Sequence, residues 1–280
     1  MMINQHFSLL QAFNSYQTYT KRSQDSMTKL STGSRINKAS DDSSGLMMSE
    51  RFRMQTRGIE QVQGNIQDAK SLIDVADGAL DIMGETLGRV HELALKASNE
   101  TLGADEKLAI QVEVNELLNE VDSIAGNTKF NGVILLNGDA DIDVTVSADG
   151  SEMNLDIRNM ATNNLGYTGT TLNLFKTGGT RDLTLNSSNA KLLASNVSKA
   201  IRQIATERGE LGAKSNRLDF RVEGLKNEFS TIAKAESRIR DVDVAKETME
   251  LTKNQMLAQA SMTMMAQGMQ HQQSVLMLLR

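Results

Sequence analysis

The sequence contains no proline, no cysteine and no tryptophan, and only 4% of its 280 residues are aromatic. At the average usage of about 5%, a chain of this length would carry roughly 14 prolines. Because proline interrupts helices, its absence favours long and unbroken helices. Because cysteine is absent, disulfides and thiolate metal sites are excluded, and the redox compartment cannot be inferred from cysteine usage.

The sequence also lacks the charge clusters and hydrophobic runs that mark nucleic-acid or membrane partners. Its net charge is −5 with both signs interspersed, which argues against a nucleic-acid footprint and against a polybasic membrane patch. No apolar run approaches the roughly 18 residues that a membrane helix requires. The first twenty residues carry no lysine or arginine, so we expect no secretory signal peptide. This pattern indicates a cytosolic protein or export by a route that reads another signal.

The strongest positive pattern is a heptad repeat in the first half of the chain. Twelve successive positions, spaced alternately three and four residues apart, are all apolar: Ile59, Val62, Ile66, Ala69, Ile73, Ala76, Leu80, Met83, Leu87, Val90, Ala94 and Ala97. This is the a/d pattern of a helix that packs as in a coiled coil. It predicts a helix from near Ser44 to Ser98, on the order of 80 Å long, with Ser40, Asp41 and Asp42 as its capping residues.

Two more helices follow from the same kind of pattern. A second helix is predicted from about Asp105 to Ala125, ending at the segment GNTKFNG, and a third begins near Asn189. One apolar register runs through the third helix over six heptads: Val197, Ile201, Ile204, Leu211, Leu218, Val222, Leu225, Phe229, Ile232 and Ile239.

Three members of that register are polar, namely Arg208, Ser215 and Glu236. Polar residues on a helix seam lower stability but fix the alignment of the packed helices. The alternative is that they lie at a solvated edge of the bundle.

The segment between the second and third helices is predicted to be rich in β-structure. Apolar and polar residues alternate around Ile142, Val144 and Val146 and again around Met153, Leu155 and Ile157. Asp149 and Gly150 between the two runs are typical of a hairpin turn. Residues 160–188, rich in Gly, Thr and Asn, are expected to form short strands and loops.

The two ends of the chain carry a different pattern. Near the N-terminus a weaker helical stripe contains Ile3, Phe7, Leu10, Met27 and Leu30. Near the C-terminus one helix face carries Val242, Ala245, Met249, Met256, Ala260 and Met264, and the opposite face carries Leu251, Ala258, Met262, Met265 and Met269. A helix that is apolar on two faces needs a neighbour on each side. The N-terminal helix can cover only one face, which indicates self-assembly.

The chain finishes on Val275, Leu276, Met277, Leu278 and Leu279, followed by Arg280. Burial of five large apolar side chains contributes on the order of 10 kcal/mol. The ordering of the backbone, at about 1–2 kcal/mol per residue, nearly cancels that gain in a single chain. We therefore interpret the tail as an assembly surface that becomes ordered when neighbouring subunits share its burial.

No catalytic, cofactor or metal site is predicted. His6, His91 and His271 lie far apart and lack metal-ligand spacing. Asp241 and Asp243, between helical segments, are more typical of helix caps than of paired catalytic carboxylates. The glycine-containing segment GTTLNLFKTGGT lacks the spacing of a phosphate-binding loop, and long thin helices rarely enclose the concave pocket of an enzyme.

Several long segments resemble the N-terminal and C-terminal cores of bacterial flagellins. At the N-terminal side these are residues 34–80, from SRINKASDDSSG to DVADGAL, then LGRVHELALKASN and IQVEVNELLNEVDSIAGNTKFNG. At the C-terminal side RGELGAKSNRLDF, SRIRDVDVAKETMELTKNQMLAQA and VLMLLR follow in the same order. The resemblance covers nearly all of residues 1–138 and 190–280.

The resemblance implies a mainly α fold: a long antiparallel helical rod, coiled-coil-like, with a small β-hairpin region in the middle and assembling terminal helices. The expected divisions are an N-terminal assembly helix in the inner core (1–43), the N-terminal part of the rod (44–138), a hairpin and loop region (139–188), the C-terminal rod helix (189–240) and a C-terminal assembly helix (241–280). Only about fifty residues separate the two cores, so the large outer domains of many family members are expected to be absent.

The implied function is that of a structural subunit that polymerises into the flagellar filament for motility. The side chains expected to mediate assembly are Ile3, Phe7, Leu10, Met249, Leu251, Met256, Met262, Met265, Met269, Val275, Leu276, Leu278 and Leu279. Expected partners are copies of the same chain, the flagellar export apparatus, a secretion chaperone, and the filament cap and hook–filament junction proteins. The expected location is the extracellular flagellum, reached through the flagellar secretion channel.

A second implied partner is the host Toll-like receptor that senses flagellin. The family's receptor-binding motif corresponds to Leu87–Leu95, with Arg89 and Leu93 at matching positions, and Glu113 matches its acidic contact. The sequence departs from the family pattern at Gly88, where Gln is usual, and at His91, where Arg is usual. We therefore expect weaker signalling than from a subunit with the usual residues.

Other functions fit the sequence less well. A hook–filament junction protein shares the architecture, but is expected to match these motifs less closely. A cytosolic coiled-coil adaptor would explain the heptads, but not the two apolar faces of the last helix. An enzyme is the alternative from a third class.

Overall fold

The computed structural model describes residues 2–138, 140–167, 170–176 and 187–278, with the backbone alone at 2–8, 170, 187 and 271–278. Within these residues the chain forms five α-helices: α1 (Met2–Thr32), α2 (Ser43–Ala97), α3 (Ala104–Asn127), α4 (Ser187–Arg240) and α5 (Val244–Leu278). The strands are short: β1 (Lys129–Phe130), β2 (Val133–Ile134), β3 (Asp141–Thr145), β4 (Glu152–Asp156), β5 (Gly166–Tyr167) and β6 (Thr170–Thr171). A 3₁₀ turn covers Leu172–Phe175. The predicted mainly α fold is confirmed.

The chain divides into two compact units. The terminal unit contains Met1–Arg57 and Phe229–Arg280, and the central unit contains Gly58–Glu228. Helices α2 and α4 each contribute residues to both units.

The heptad repeat of α2 supplies the core of the central unit. All twelve predicted positions, from Ile59 to Ala97, are buried. Helix α2 spans Ser43–Ala97, within one residue of the predicted bounds. The heptad pattern therefore predicted both the helix and its buried face correctly.

Ion pairs show that α2 and α4 run antiparallel within the central unit. Lys70 of α2 pairs with Asp219 of α4, and further along α2 Asp77 pairs with Arg208 at 2.7 Å. Residue numbers rise along one helix as they fall along the other, which is the predicted antiparallel arrangement.

The α4 register is buried through the central unit, at Val197, Ile204, Leu211, Leu218 and Leu225. Of its polar members, Arg208 is half-exposed and binds both Asp77 and Asp81 of α2. Ser215 is half-buried. Glu236, in the terminal unit, lies 3.4 Å from the guanidinium of Arg53. Two of the three polar positions therefore bind charged groups of α2, as expected if they fix alignment.

Helix α3 begins and ends at recognisable signals. The Glu106 carboxylate accepts a hydrogen bond from the Gly103 backbone N–H at 3.0 Å, so it satisfies one free amide at the helix start. After α3, Asn131 and Gly132 have positive φ angles of 48° and 84° and connect β1 to β2. A two-residue Asn-Gly loop is the preferred connection of a tight hairpin. The sequence prediction placed only a helix end in this segment.

The predicted hairpin between residues 142 and 157 is confirmed. Strands β3 and β4 pair antiparallel with Val144 opposite Met153, and the connecting loop includes Gly150 with φ 84°. Val144, Met153 and Leu155 are buried, so the alternating pattern correctly identified the inward face.

A carboxylate on α3 holds the following segment of the central unit. Asp122 accepts hydrogen bonds from the backbone N–H and the hydroxyl of Thr162, each at 2.8 Å. It also pairs with Lys176. Beside it the 3₁₀ turn buries Leu172 and Phe175.

In the terminal unit, α1 packs against α5. The segment after α1 is fixed by backbone hydrogen bonds from Arg35 N to Arg240 O at 2.6 Å and from Val242 N to Gly33 O at 3.0 Å. Ile36 in this segment is buried.

Aspartates cap the helices on either side of this connection. Asp42 accepts a hydrogen bond from the Gly45 backbone N–H at 2.9 Å, as predicted for α2. Asp41 instead binds the backbone N–H groups of Lys38 and Asn37, and these bonds lower the pKa of its carboxyl. Asp243 accepts from the Lys246 N–H at 3.1 Å and caps α5.

Candidate assembly surface

The most deeply buried side chains in the seam between α1 and α5 are small and polar. Ser26 of α1 and Asn254 and Ser261 of α5 are buried. A Cβ atom at Gly268 would come within 2.8 Å of Leu9 Cδ1. The seam is therefore narrow, and α5 leaves most of its large apolar side chains outside it.

Helix α5 covers part of one of its two apolar faces against α1. Leu251, Ala258 and Met265 are partly buried on the side that includes Asn254 and Ser261. Leu251 and Met265 were expected to mediate assembly, and both lie on this covered side.

The opposite face of α5 is exposed in the single chain. Met249, Met256 and Met264, which we call the methionine face, have exposed fractions of 67%, 59% and 59%. Large apolar side chains gain free energy when they leave water, roughly 1.5–3 kcal/mol each when fully buried. The two-faced pattern read from the sequence is thus present, and one face has no covering element among the described residues.

An apolar groove runs along one edge of the α1–α5 pair. It is lined by Leu9, Leu10, Phe13, Met262, Met265, Ala266 and Met269. Leu10, Met262 and Met269 are at least half-exposed. The structure therefore brings together three more of the residues expected to mediate assembly.

The remaining assembly candidates lie outside the described side chains. These are Ile3, Phe7, Val275, Leu276, Leu278 and Leu279.

The residues expected to bind a receptor lie on α2 and α3. The Arg89 guanidinium donates to Glu113 at 2.9 Å and to Glu92 at 3.2 Å, and these bonds raise the pKa of Arg89. Arg89 and Glu113 are both about half-exposed, whereas Leu93 is only 3% exposed. The structure thus joins the two charged residues and places Leu93 in the core.

The acidic pair considered for catalysis, Asp241 and Asp243, makes structural contacts. Asp243 is a helix cap, and Asp241 accepts a hydrogen bond from Ser237 at 2.6 Å. In the described residues, no group of three or more His, Cys, Asp or Glu side chains is placed to hold a metal ion. Among these residues no helix is both long and apolar enough to cross a membrane.

Two polar side chains with structural roles were missed by the sequence reading. Glu207 is buried beside Arg158, and Asp122 holds Thr162 and Lys176. The only sequence signal for Glu207 was its position next to Arg208, a polar member of the apolar register of α4. Asp122 had no local signal, because its partners lie 40 and 54 residues away.

The structure combines three features: long antiparallel helices, short hairpins, and a terminal helix pair with one uncovered apolar face. Such features are typical of helical subunits that associate through apolar helix faces.

Comparisons with known proteins identify the family within this class. Residues 3–141 match the family model of the bacterial flagellin N-terminal helical region, and residues 194–279 match that of the C-terminal helical region. Flagellins from Halalkalibacterium halodurans and Bacillus subtilis are each 37% identical to the chain, with full coverage of both proteins. The flagellar filament 33 kDa core protein of Treponema phagedenis is also 37% identical over both full lengths. The chain belongs to the flagellin family, whose members are subunits of the flagellar filament.

A solved structure shares the fold at lower identity. A putative flagellar hook-associated protein from Vibrio parahaemolyticus aligns with a TM-score of 0.61 at 16% identity, over 72% of this chain and 100% of that one. This likeness concerns the fold alone.

Proposed function

We propose that copies of this chain polymerise into the filament through the uncovered surfaces of the α1–α5 pair. The observation that supports this proposal is the exposure of the methionine face, at 59–67% for each of its three side chains. Neighbouring copies would bury this face and the edge groove, and so supply the second partner that an apolar helix face requires.

The methionine side chains suit such a contact. Methionine is unbranched and flexible, so it adapts to neighbours of slightly different shape. Leu10, Met262 and Met269 at the groove would extend the same buried surface.

The test replaces exposed methionines with glutamate. Met249→Glu/Met256→Glu should raise the concentration needed for polymerisation by about tenfold or more, because an unpaired buried carboxylate costs several kcal/mol. The matched control is Met47→Glu/Met54→Glu, since these α2 side chains are 68% and 70% exposed. Polymer is measured by sedimentation at high salt and by negative-stain microscopy. Circular dichroism checks that each monomer is folded. Normal polymerisation of the α5 variant would overturn the assignment of this surface.

The proposed location is the extracellular flagellum, reached through the flagellar secretion channel. Family membership supports this location. It also supports the proposed contacts to the export apparatus, a secretion chaperone, the filament cap and the hook–filament junction proteins. Antibody labelling of intact cells should detect the protein on filaments. Its retention inside cells with an active export channel would contradict the proposal.

Recognition by the flagellin-sensing Toll-like receptor is a second proposed function. Arg89 and Glu113 support it, because they form one half-exposed charged pair across α2 and α3. Leu93 is buried, so its role would be to support the helix surface rather than to touch the receptor.

Reporter cells test this second function. Arg89→Ala should reduce signalling, whereas Arg202→Ala, an exposed arginine on α4, should not. The Gly88→Gln/His91→Arg variant should signal more strongly than the parent. Unchanged potency in both the Arg89 and the Gly88/His91 variants would remove the support for this function.

A further inference from the structure

We infer that the methionine face of α5 is an oxidation site, at which hydroperoxides convert exposed thioethers to sulfoxides and reversibly block polymerisation. The inference rests on the proposed role of this face in assembly. It assigns to Met249, Met256 and Met264 a chemical modification that adds to their packing role.

These three sulfur atoms are accessible to solvent, as are those of Met47 and Met54 on α2. Each side chain is at least 59% exposed, so a small oxidant in water reaches the sulfur directly. Met83 and Met160 in the central unit are 0% and 3% exposed and are shielded by the core. The chain therefore contains both accessible and protected methionines.

The composition removes the usual competitor for oxidants. The sequence has 16 methionines and no cysteine, so no thiol in this chain reacts first. Methionine is then the principal sulfur side chain available, and its sulfoxide is reversible by dedicated reductases.

The reaction balances with a hydroperoxide as the oxidant. A sulfur lone pair attacks the peroxide oxygen, the O–O bond breaks and an S–O bond forms. The sulfur is oxidised by two electrons, and hydrogen peroxide is reduced to water. In the reverse reaction a methionine sulfoxide reductase returns the thioether, while a dithiol is oxidised to a disulfide and the oxygen leaves as water.

The modification changes the property on which assembly depends. A sulfoxide is polar, and its oxygen accepts hydrogen bonds that an apolar contact cannot supply. Its burial between copies is therefore unfavourable, whereas in the free monomer water solvates it. Helix α5 itself has no need to unfold, because the three side chains lie outside the α1 seam.

The proposed contact also predicts protection after assembly. Once neighbouring copies cover the methionine face, oxidant no longer reaches its sulfur atoms. Monomers should thus be oxidised at Met249, Met256 and Met264 before Met83, whereas polymer should be oxidised there much more slowly.

The experiment treats full-length monomer with hydrogen peroxide, maps sulfoxides by mass spectrometry and then measures polymerisation. We expect early oxidation at the methionine face, a rise of about tenfold in the concentration needed for polymerisation, and recovery after treatment with methionine sulfoxide reductases and dithiothreitol. Leucine should replace every exposed methionine of the methionine face and the groove, in Met249→Leu/Met256→Leu/Met262→Leu/Met264→Leu/Met269→Leu. This variant should polymerise before and after peroxide, because leucine keeps the volume and apolar character. The control Met47→Leu/Met48→Leu/Met54→Leu should stay as sensitive as the parent.

Three outcomes would overturn the inference. The first is normal polymerisation of the oxidised parent, in an experiment in which the untreated parent polymerises as well. The second is a leucine variant of α5 that peroxide inhibits as strongly as the parent. The third is untreated parent that forms no polymer, which would overturn the proposed function itself and the inference with it.

Discussion

The Glu207 carboxylate of α4 lies 3.5 Å from the Arg158 guanidinium, and only 1% of the Glu207 side chain is exposed. The Arg158 backbone N–H also donates to Glu207 Oε1 at 3.3 Å, while its guanidinium binds Glu210 as well. Within the described residues, Glu207 Oε2 accepts no hydrogen bond. Burial therefore raises the pKa of Glu207, although Arg158 opposes that rise by hydrogen bonding and charge.

This raised pKa predicts a pH-dependent effect of Glu207→Gln. The folded state binds the Glu207 proton more tightly than the unfolded state. The stabilising contribution of this group is therefore fully present at a pH below the pKa that it has in the unfolded chain. That contribution is lost as pH rises through the folded pKa. The stability of the variant minus that of the parent should therefore be smallest near pH 4 and should increase towards neutral pH.

Thermal unfolding of both proteins from pH 4 to pH 8 measures this difference. Carboxyls with a lowered pKa, such as those of Asp42 and Glu50, stabilise the fold less in acid. This loss is the same in both proteins, so it cancels in the difference. A difference that is constant or shrinks with rising pH would contradict the prediction.

Gly45 should tolerate alanine poorly, unlike most glycines in α2. A Cβ at position 45 would lie 2.5 Å from Asp42 Oδ2 and 2.7 Å from Ile36 Cδ1, so it would disturb both the helix cap and a buried contact. Gly64 is the matched control, because a Cβ there meets no atom within 4 Å. Gly64→Ala should stabilise the protein by up to about 1 kcal/mol through helix propensity, whereas Gly45→Ala should lower the melting temperature.

Arg208 should be energetically coupled to Asp77 across the α2–α4 interface. Two nitrogens of its guanidinium contact the two Asp77 oxygens, at 2.7 Å and 3.3 Å. Both side chains are more than a third exposed, so water and salt screen the pair. A double-mutant cycle of Arg208→Gln and Asp77→Asn by urea unfolding should give a coupling of about 0.5–1 kcal/mol. If the effects of the two substitutions are additive, Arg208 and Asp77 do not stabilise each other and water solvates each charge separately.

The helices were predictable because each one repeats a local signal many times. Helix α2 carries twelve apolar heptad positions, and every one of them is buried. The same averaging predicted the two faces of α5, of which only one is covered in the single chain. Short-range turn chemistry also predicted the β3–β4 hairpin.

The rest of the structure depends on contacts between residues far apart in sequence. The contact of Glu207 with Arg158 spans 49 residues. The backbone hydrogen bond from Arg35 to Arg240 joins the segment after α1 to the end of α4. No heptad or alternating pattern encodes such pairs. The β1–β2 hairpin is different. The Asn131-Gly132 dipeptide was a sufficient local signal for a hairpin turn, although the segment was predicted only to end α3.

Asp122 should be a critical polar side chain of the central unit. Its two oxygens accept two hydrogen bonds from Thr162 at 2.8 Å and bind Lys176, so it connects α3 to a segment with little regular structure. Asp122→Ala leaves the buried Thr162 hydroxyl and amide without this acceptor. Since bonds to a charged group contribute about 1.5–3 kcal/mol each, with incomplete additivity, we expect a loss of about 2–4 kcal/mol.

Asp122→Asn distinguishes hydrogen bonding from charge. The asparagine carbonyl can still accept from Thr162, but the amide removes the negative charge that Lys176 neutralises. It should therefore destabilise the protein less than Asp122→Ala. Urea unfolding of both variants gives the free energies, and hydrogen exchange at the Thr162 amide reports the local contact. Equal stability of the alanine variant and the parent would show that water replaces the Asp122 contacts without cost.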